Sequence, residues 1–133
     1  MRMAVLLPLA AAVALATVSG PALAAGDAAA GEQVFKKMCT ACHSIEPGVN
    51  KTGPSLDGVY GRKAGSYDFP RYKGLVGADF TWNSENLNEY LSNPKAFVIA
   101  HTANKNTAMT FSLKNEQQRA DVIAYLKQES EAK

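Results

Sequence analysis

The sequence predicts an all-α domain, a few helices joined by long loops. Three observations lead there. Amphipathic segments with capping residues occur near residue 28 and again after residue 83, and no run alternates apolar and polar residues as a half-buried strand would. Residues 44–81 are rich in Gly, Pro, Asn and Lys and keep no sustained period. So long an irregular stretch in a small domain needs something to wrap. The third observation supplies it: Cys39-Thr40-Ala41-Cys42-His43 holds both cysteines of the chain in the C-x-x-C-H pattern of covalent c-type haem attachment. Each thiol can add to a haem vinyl group, and His43 can then reach the iron from one side.

The elements follow in chain order. Arg2, a nearly continuous apolar run over residues 5–18 and the small-residue pattern Ala22-Leu23-Ala24 read as a secretory signal peptide cleaved after Ala24. An uncleaved anchor is the alternative, since the run is near the lower limit of a membrane span. Residues 25–133 then form one small domain, exported to a bacterial periplasm, an oxidising compartment. Asp27 can N-cap a helix over 28–38, with Gly31, Phe35 and Met38 along one face. Asn83 or Ser84 can cap a second helix carrying Leu87, Tyr90 and Leu91. Asn93 as N-cap and Pro94 at the first position start a short third helix over 94–100. Residues 101–113 read as a polar loop. Asn115 with Gln118 resembles a capping box opening the last helix, whose apolar stripe is Val122, Ile123 and Leu126, with Tyr125 beside it.

Charge excludes some functions. Of 14 basic residues only Arg2 precedes residue 25, which leaves 13 against 12 acids. A near-neutral domain does not point to nucleic acid. A core this small is marginal alone, so the haem-free chain is expected to fold poorly.

Other readings of the pentapeptide carry less. A thioredoxin-like pair belongs in a βαβ context that is missing here. A four-ligand zinc site would need both cysteines and both histidines, His43 and His101, at an irregular spacing. A disulfide would close a very short loop and stabilise little. With haem bound and His43 on one face, the function is that of an electron carrier, a peroxidase or a gas binder, according to what occupies the other face. Met38 adjoins Cys39 and starts on the same side as His43. Met109 and His101 lie far along the chain and are the two candidates. A thioether is a soft ligand that favours Fe(II) and raises the potential relative to a second imidazole.

In order along the chain stand Gly31 and Phe35, the Cys39–His43 motif, Thr52-Gly53-Pro54-Ser55-Leu56 and Gly61-Arg62-Lys63-Ala64-Gly65. Thr81-Trp82, Tyr90-Leu91-Ser92-Asn93-Pro94-Lys95, Thr107-Ala108-Met109-Thr110-Phe111 and the segment 121–127 follow. Together these make the chain resemble a class I cytochrome c, closest to the bacterial cytochrome c2 branch, over residues 31–127. The resemblance implies the cytochrome c fold with one haem held by Cys39 and Cys42, and His43 and Met109 as axial iron ligands. It implies that Pro54 offers its carbonyl to His43, that Arg62, Tyr72, Trp82 and Thr107 surround the haem propionates, and that Tyr90 lies near the Met109 sulfur. Phe111 would cover the haem edge, and Gly31 and Phe35 would pack on the last helix near Tyr125. It implies a monomeric periplasmic electron carrier without enzymatic activity. Its partners would be redox proteins with acidic docking patches: a bc1 complex, a cytochrome oxidase, a photosynthetic reaction centre or a periplasmic dehydrogenase. Membranes would be met only through those complexes. Lys36, Lys37, Lys51, Lys95, Lys105 and Lys114 are candidates for a basic rim that steers docking.

The chain also departs from the pattern. The run from Pro94 to Met109 is longer than in the short mitochondrial-type proteins, contains His101, and lacks a Pro-Gly before the methionine. Ala108 replaces a usual Lys. Residues 73–80 lack the Asn that relatives place near a propionate.

Overall fold

Four helices and no β-strand make up the described part of the chain in the computed structural model, which covers residues 25–133. The expected signal peptide lies outside the described residues. The helices are α1 (Ala28–Met38), α2 (Ser84–Ser92), α3 (Pro94–His101) and α4 (Glu116–Glu131).

Their starts are set by side chains that satisfy otherwise orphaned N–H groups. The Asp27 carboxylate accepts from the N–H groups of Ala29 and Ala30 at the head of α1. Asn83 and Asn86 exchange reciprocal bonds at α2, a full capping box that the sequence reading did not anticipate. Asn93 caps α3 with Pro94 just inside. Asn115 accepts from the Gln118 N–H at α4, only the forward half of the expected box. One boundary differs from expectation. His101 closes α3 rather than opening the loop, because it stacks on Phe97 one turn back and pairs with Glu89 of α2.

The α1–α4 crossing closes the fold. A Cβ on Gly31 would lie 1.9 Å from the Asp121 carbonyl oxygen and 2.9 Å from the Tyr125 Cβ, so only glycine allows the helices to approach this closely. Phe35 packs on Tyr125 with ring centroids 5.5 Å apart. The buried Asp121 carboxylate accepts from the Asp27 N–H at 2.9 Å and from Gln117 at 2.9 Å, so its buried oxygen is satisfied.

On the other side, α2 and α3 present Tyr90 and Phe97 to Phe80 and Trp82. These four rings meet mostly edge to face at 5.1–5.9 Å, as their quadrupoles favour. Residues 44–81 form no helix. One isolated antiparallel bridge, Lys63 with Thr81, ties this loop to the start of α2. Its bonds, Trp82 N–H to Arg62 O and Ala64 N–H to Phe80 O, both at 2.9 Å, bring the backbones of Arg62 and Trp82 side by side.

Candidate haem site

The C-x-x-C-H segment continues the winding of α1. The N–H groups of Cys42 and His43 both donate to the Cys39 carbonyl, at 3.1 and 2.9 Å, and place His43 one turn beyond the helix. Cys39 is half-buried and Cys42 exposed. Burial, reinforced by the neighbouring Cys42, pushes the Cys39 thiol up to about 11.

The His43 ring is held from two directions. Its Nδ1 donates to the Pro54 carbonyl at 2.7 Å, the bond expected from the resemblance. A Cβ on Gly53 would stand 2.3 Å from His43 Cε1, so the imidazole lies flat against bare backbone. Burial lowers the His43 pKa below its usual value; the Pro54 bond opposes this, and the charges of Arg62 and Lys51 add to it. The neutral ring with its proton on Nδ1 leaves the Nε2 lone pair bare, the state an iron ligand needs.

Ser55 organises the loop behind this ring. It is fully buried, donates to the Glu46 carbonyl at 2.6 Å and accepts from Asp57 N–H at 3.1 Å, while its own N–H donates to Asn50. Arg62 donates to the carbonyls of Asp57 and Ser55 at 2.7 and 3.3 Å, and its guanidinium lies 4.4 Å above the Tyr67 ring. None of the ion pairs among the described residues includes Arg62. A half-buried guanidinium without a carboxylate suits an acidic group brought by a ligand. Tyr72 shares this neighbourhood: burial raises its phenol pKa, and Arg62 draws it back down.

The second cluster comes from the far half of the chain. Trp82 and Tyr90 are buried in the aromatic group, with the Thr107 side chain near the Tyr90 phenol. Thr107 Oγ1 accepts from the Met109 N–H at 3.2 Å. Met109 is half-buried against the core, on the wall of an open cleft shared with Pro94, Lys95 and Thr107. Trp82 joins the two clusters through its backbone bond to Arg62. Phe111 stands apart, 40% exposed. His101 is held by Glu89 at 2.9 Å and by its stack on Phe97 at 4.2 Å. No group of three or more His, Cys, Asp or Glu among the described residues could hold a metal ion, so any metal must come with a macrocycle or other ligands.

Sequence reasoning gave no role to Gly53, Ser55 or Tyr67. Gly53 stood in view beside Pro54, and a glycine before a proline carbonyl that meets a histidine is a readable sign of close approach. Nothing local marks Tyr67; only its position over Arg62 does.

Residues 28–130 match the family model described as Cytochrome c. The chain belongs to the cytochrome c family. Cytochrome c2 of Rhodospirillum rubrum is 44% identical over 121 residues, covering 86% of this chain and 89% of that protein. Cytochrome c of Tetrahymena pyriformis is 45% identical over 103 residues, covering 77% and 88%. The structure of cytochrome c2 from Rhodospirillum centenum superposes with a TM-score of 0.71 at 42% identity, covering 79% of this chain and 99% of that one. The chain is thus a class I, cytochrome c2-like protein with the all-α cytochrome c fold. It carries covalent haem c and serves as an electron carrier, not an enzyme. The bare His43 nitrogen, the glycine cradle beside it and the unpaired Arg62 all fit that cofactor.

Proposed function

We propose that this cytochrome is a soluble periplasmic carrier whose haem is joined through Cys39 and Cys42 and ligated by His43 and Met109. Haem, when bound, supplies a one-electron couple. The observation that carries the reading is the Pro54–His43–Gly53 arrangement, which fixes the tautomer and the plane of the ring and so presents Nε2 alone. Met109 follows from ligand chemistry and from the family pattern, and its half-buried place beside Thr107 and Tyr90 is compatible with it. His101, pinned to Glu89 and Phe97, is less available. Arg62, Tyr72, Trp82 and Thr107 supply N–H and O–H donors for the propionates, and Tyr90 and Phe111 complete the haem surroundings. With His43 and Met109 both holding the iron, no site would stay open for peroxide or dioxygen.

Removal of residues 1–24 would release the domain into the periplasm. There it would shuttle electrons from a bc1-type complex to an oxidase, a photosynthetic reaction centre or a periplasmic dehydrogenase. Lys37, Lys95 and Lys105 are exposed and make no ion pair among the described residues, which suits a steering rim. Lys36 pairs with Glu32, and Lys51 and Lys114 donate to the Thr40 and Ser92 carbonyls.

An alkaline pyridine spectrum tests covalent attachment, and the weak red absorption of an iron–thioether bond tests the sixth ligand. That absorption should vanish in Met109→Ala and survive in His101→Ala; the reverse pattern would overturn Met109. N-terminal sequencing of the exported protein tests cleavage after Ala24. Electron transfer to a purified partner should slow with rising salt, and a flat dependence would remove the steering role.

A further inference from the structure

The long run between α3 and α4 carries Met109 and contains no helix or strand. Something other than secondary structure must hold it. Among the described residues, residues 103–109 hydrogen-bond to distant parts of the chain only through Asn104. Its side-chain amide uses both N–H groups, donating to the Gly74 carbonyl at 3.0 Å and to the Val76 carbonyl at 2.9 Å.

Asn104 is itself preset. Its N–H donates to Thr102 Oγ1 at 3.0 Å, and Thr102 Oγ1 donates to the Val98 carbonyl at 2.8 Å. This chain of bonds fastens the start of the loop to the end of α3. The docking surface is closely fitted too. A Cβ on Gly74 would stand 2.8 Å from Val98 Cγ2, 2.9 Å from the Asn106 carbonyl oxygen and 3.2 Å from the Thr107 Cβ. Residue 74 is thus backbone laid directly against the loop that leads to Met109.

We propose that Asn104 is a positioning residue, a latch that holds the Met109 loop closed on residues 74–76 and keeps the sixth iron ligand in place. The proposal rests on Met109 being that ligand, and the test separates the two. Loss of two hydrogen bonds between loop and body should raise the open fraction of the loop by about tenfold. Imidazole added to the oxidised holoprotein reads that fraction, because it binds iron only when the protein ligand has left.

Asn104→Ala should strengthen imidazole binding about tenfold. Asp27→Ala, which removes the α1 cap far from this loop, should lower global stability and leave imidazole binding unchanged. Amide hydrogen exchange of residues 102–109 gives a readout independent of iron, and Asn104→Ala should accelerate it there. Parental imidazole binding and parental exchange in Asn104→Ala would overturn the latch. So would an equal gain in Asp27→Ala, since global loosening would then account for the effect. If Met109→Ala leaves imidazole binding unchanged, the sixth-ligand reading fails, and the exchange result alone decides whether Asn104 latches the loop.

Discussion

His43 and Met109 are held by different means. His43 sits one helical turn past α1, bonded to the Pro54 carbonyl, flat on Gly53, with the buried Ser55 network behind it. Met109 sits in an irregular segment, tied by Thr107 and Asn104 and packed against the core that contains Phe97. On the first side a ring and a hydroxyl meet backbone over short sequence separations. The second depends on side chains that meet across long ones. Local opening is cheaper where few buried contacts and few backbone bonds hold a segment. The distal side should therefore give way before the proximal side.

The largest expected effect probes the distal support. Phe97 is 1% exposed and touches Phe80, Trp82, Tyr90 and His101. Phe97→Ala should cost about 3–5 kcal/mol in a denaturant titration. It should also weaken the iron–thioether absorption at denaturant concentrations that leave the fold intact. Simultaneous loss of both signals would break the contrast between the sides.

The proximal counterpart is Gly53→Ala. The new Cβ would meet the imidazole, so overpacking of about 1–3 kcal/mol is expected. Here the Soret and haem-attachment properties should change along with stability, because the proximal ring itself must tilt. A variant with parental spectra and stability would show that the ring is not confined by this backbone.

Tyr90 sharpens the comparison through pH. Burial raises its phenol pKa above 10.0, and the neighbouring Thr107 opposes this rise. The folded state then holds the proton more tightly than the unfolded state. The associated stability is fully present below pH 10 and is lost as pH rises through the folded value. Tyr90→Phe should flatten the alkaline fall in stability, seen in melting temperatures measured across that range. An unchanged alkaline slope would assign the loss to other groups, such as Tyr72 or Tyr125, which burial also raises.

The smallest effect is expected at His101. It is 41% exposed, and its pair with Glu89 faces solvent. His101→Ala should cost about 1 kcal/mol or less and leave the iron–thioether absorption intact. A larger loss would mean that the end of α3 contributes more to the Met109 loop than its exposure suggests.

Much of the helical frame was legible because its signals are local. Asp27, Asn83, Asn93 and Asn115 cap helices through side chains that reach only two or three residues ahead, and Pro94 can stand only at the start of one. The Cys39–His43 motif was legible for the same reason: five consecutive residues carry its chemistry. The end of α3 was misplaced because part of what extends it, the Glu89 bond to His101, reaches across from α2. Tyr67 over Arg62 and Asn104 on Gly74 were invisible, since no spacing in a loop announces which distant carbonyl or cation it will meet.

By itself, then, the sequence determined a capped helix that runs into the C-x-x-C-H pattern of haem attachment, with a histidine next in line and a methionine far away. Only the tertiary structure decided that Gly53 would lie under the imidazole, that no carboxylate among the described residues would pair with Arg62, and that Asn104 would reach the residue 74–76 carbonyls beside the Met109 loop. The reason is range. Caps and motifs act over a few residues of one chain segment, whereas these contacts exist only after loop closure has brought separate segments together, and their geometry belongs to the packed whole.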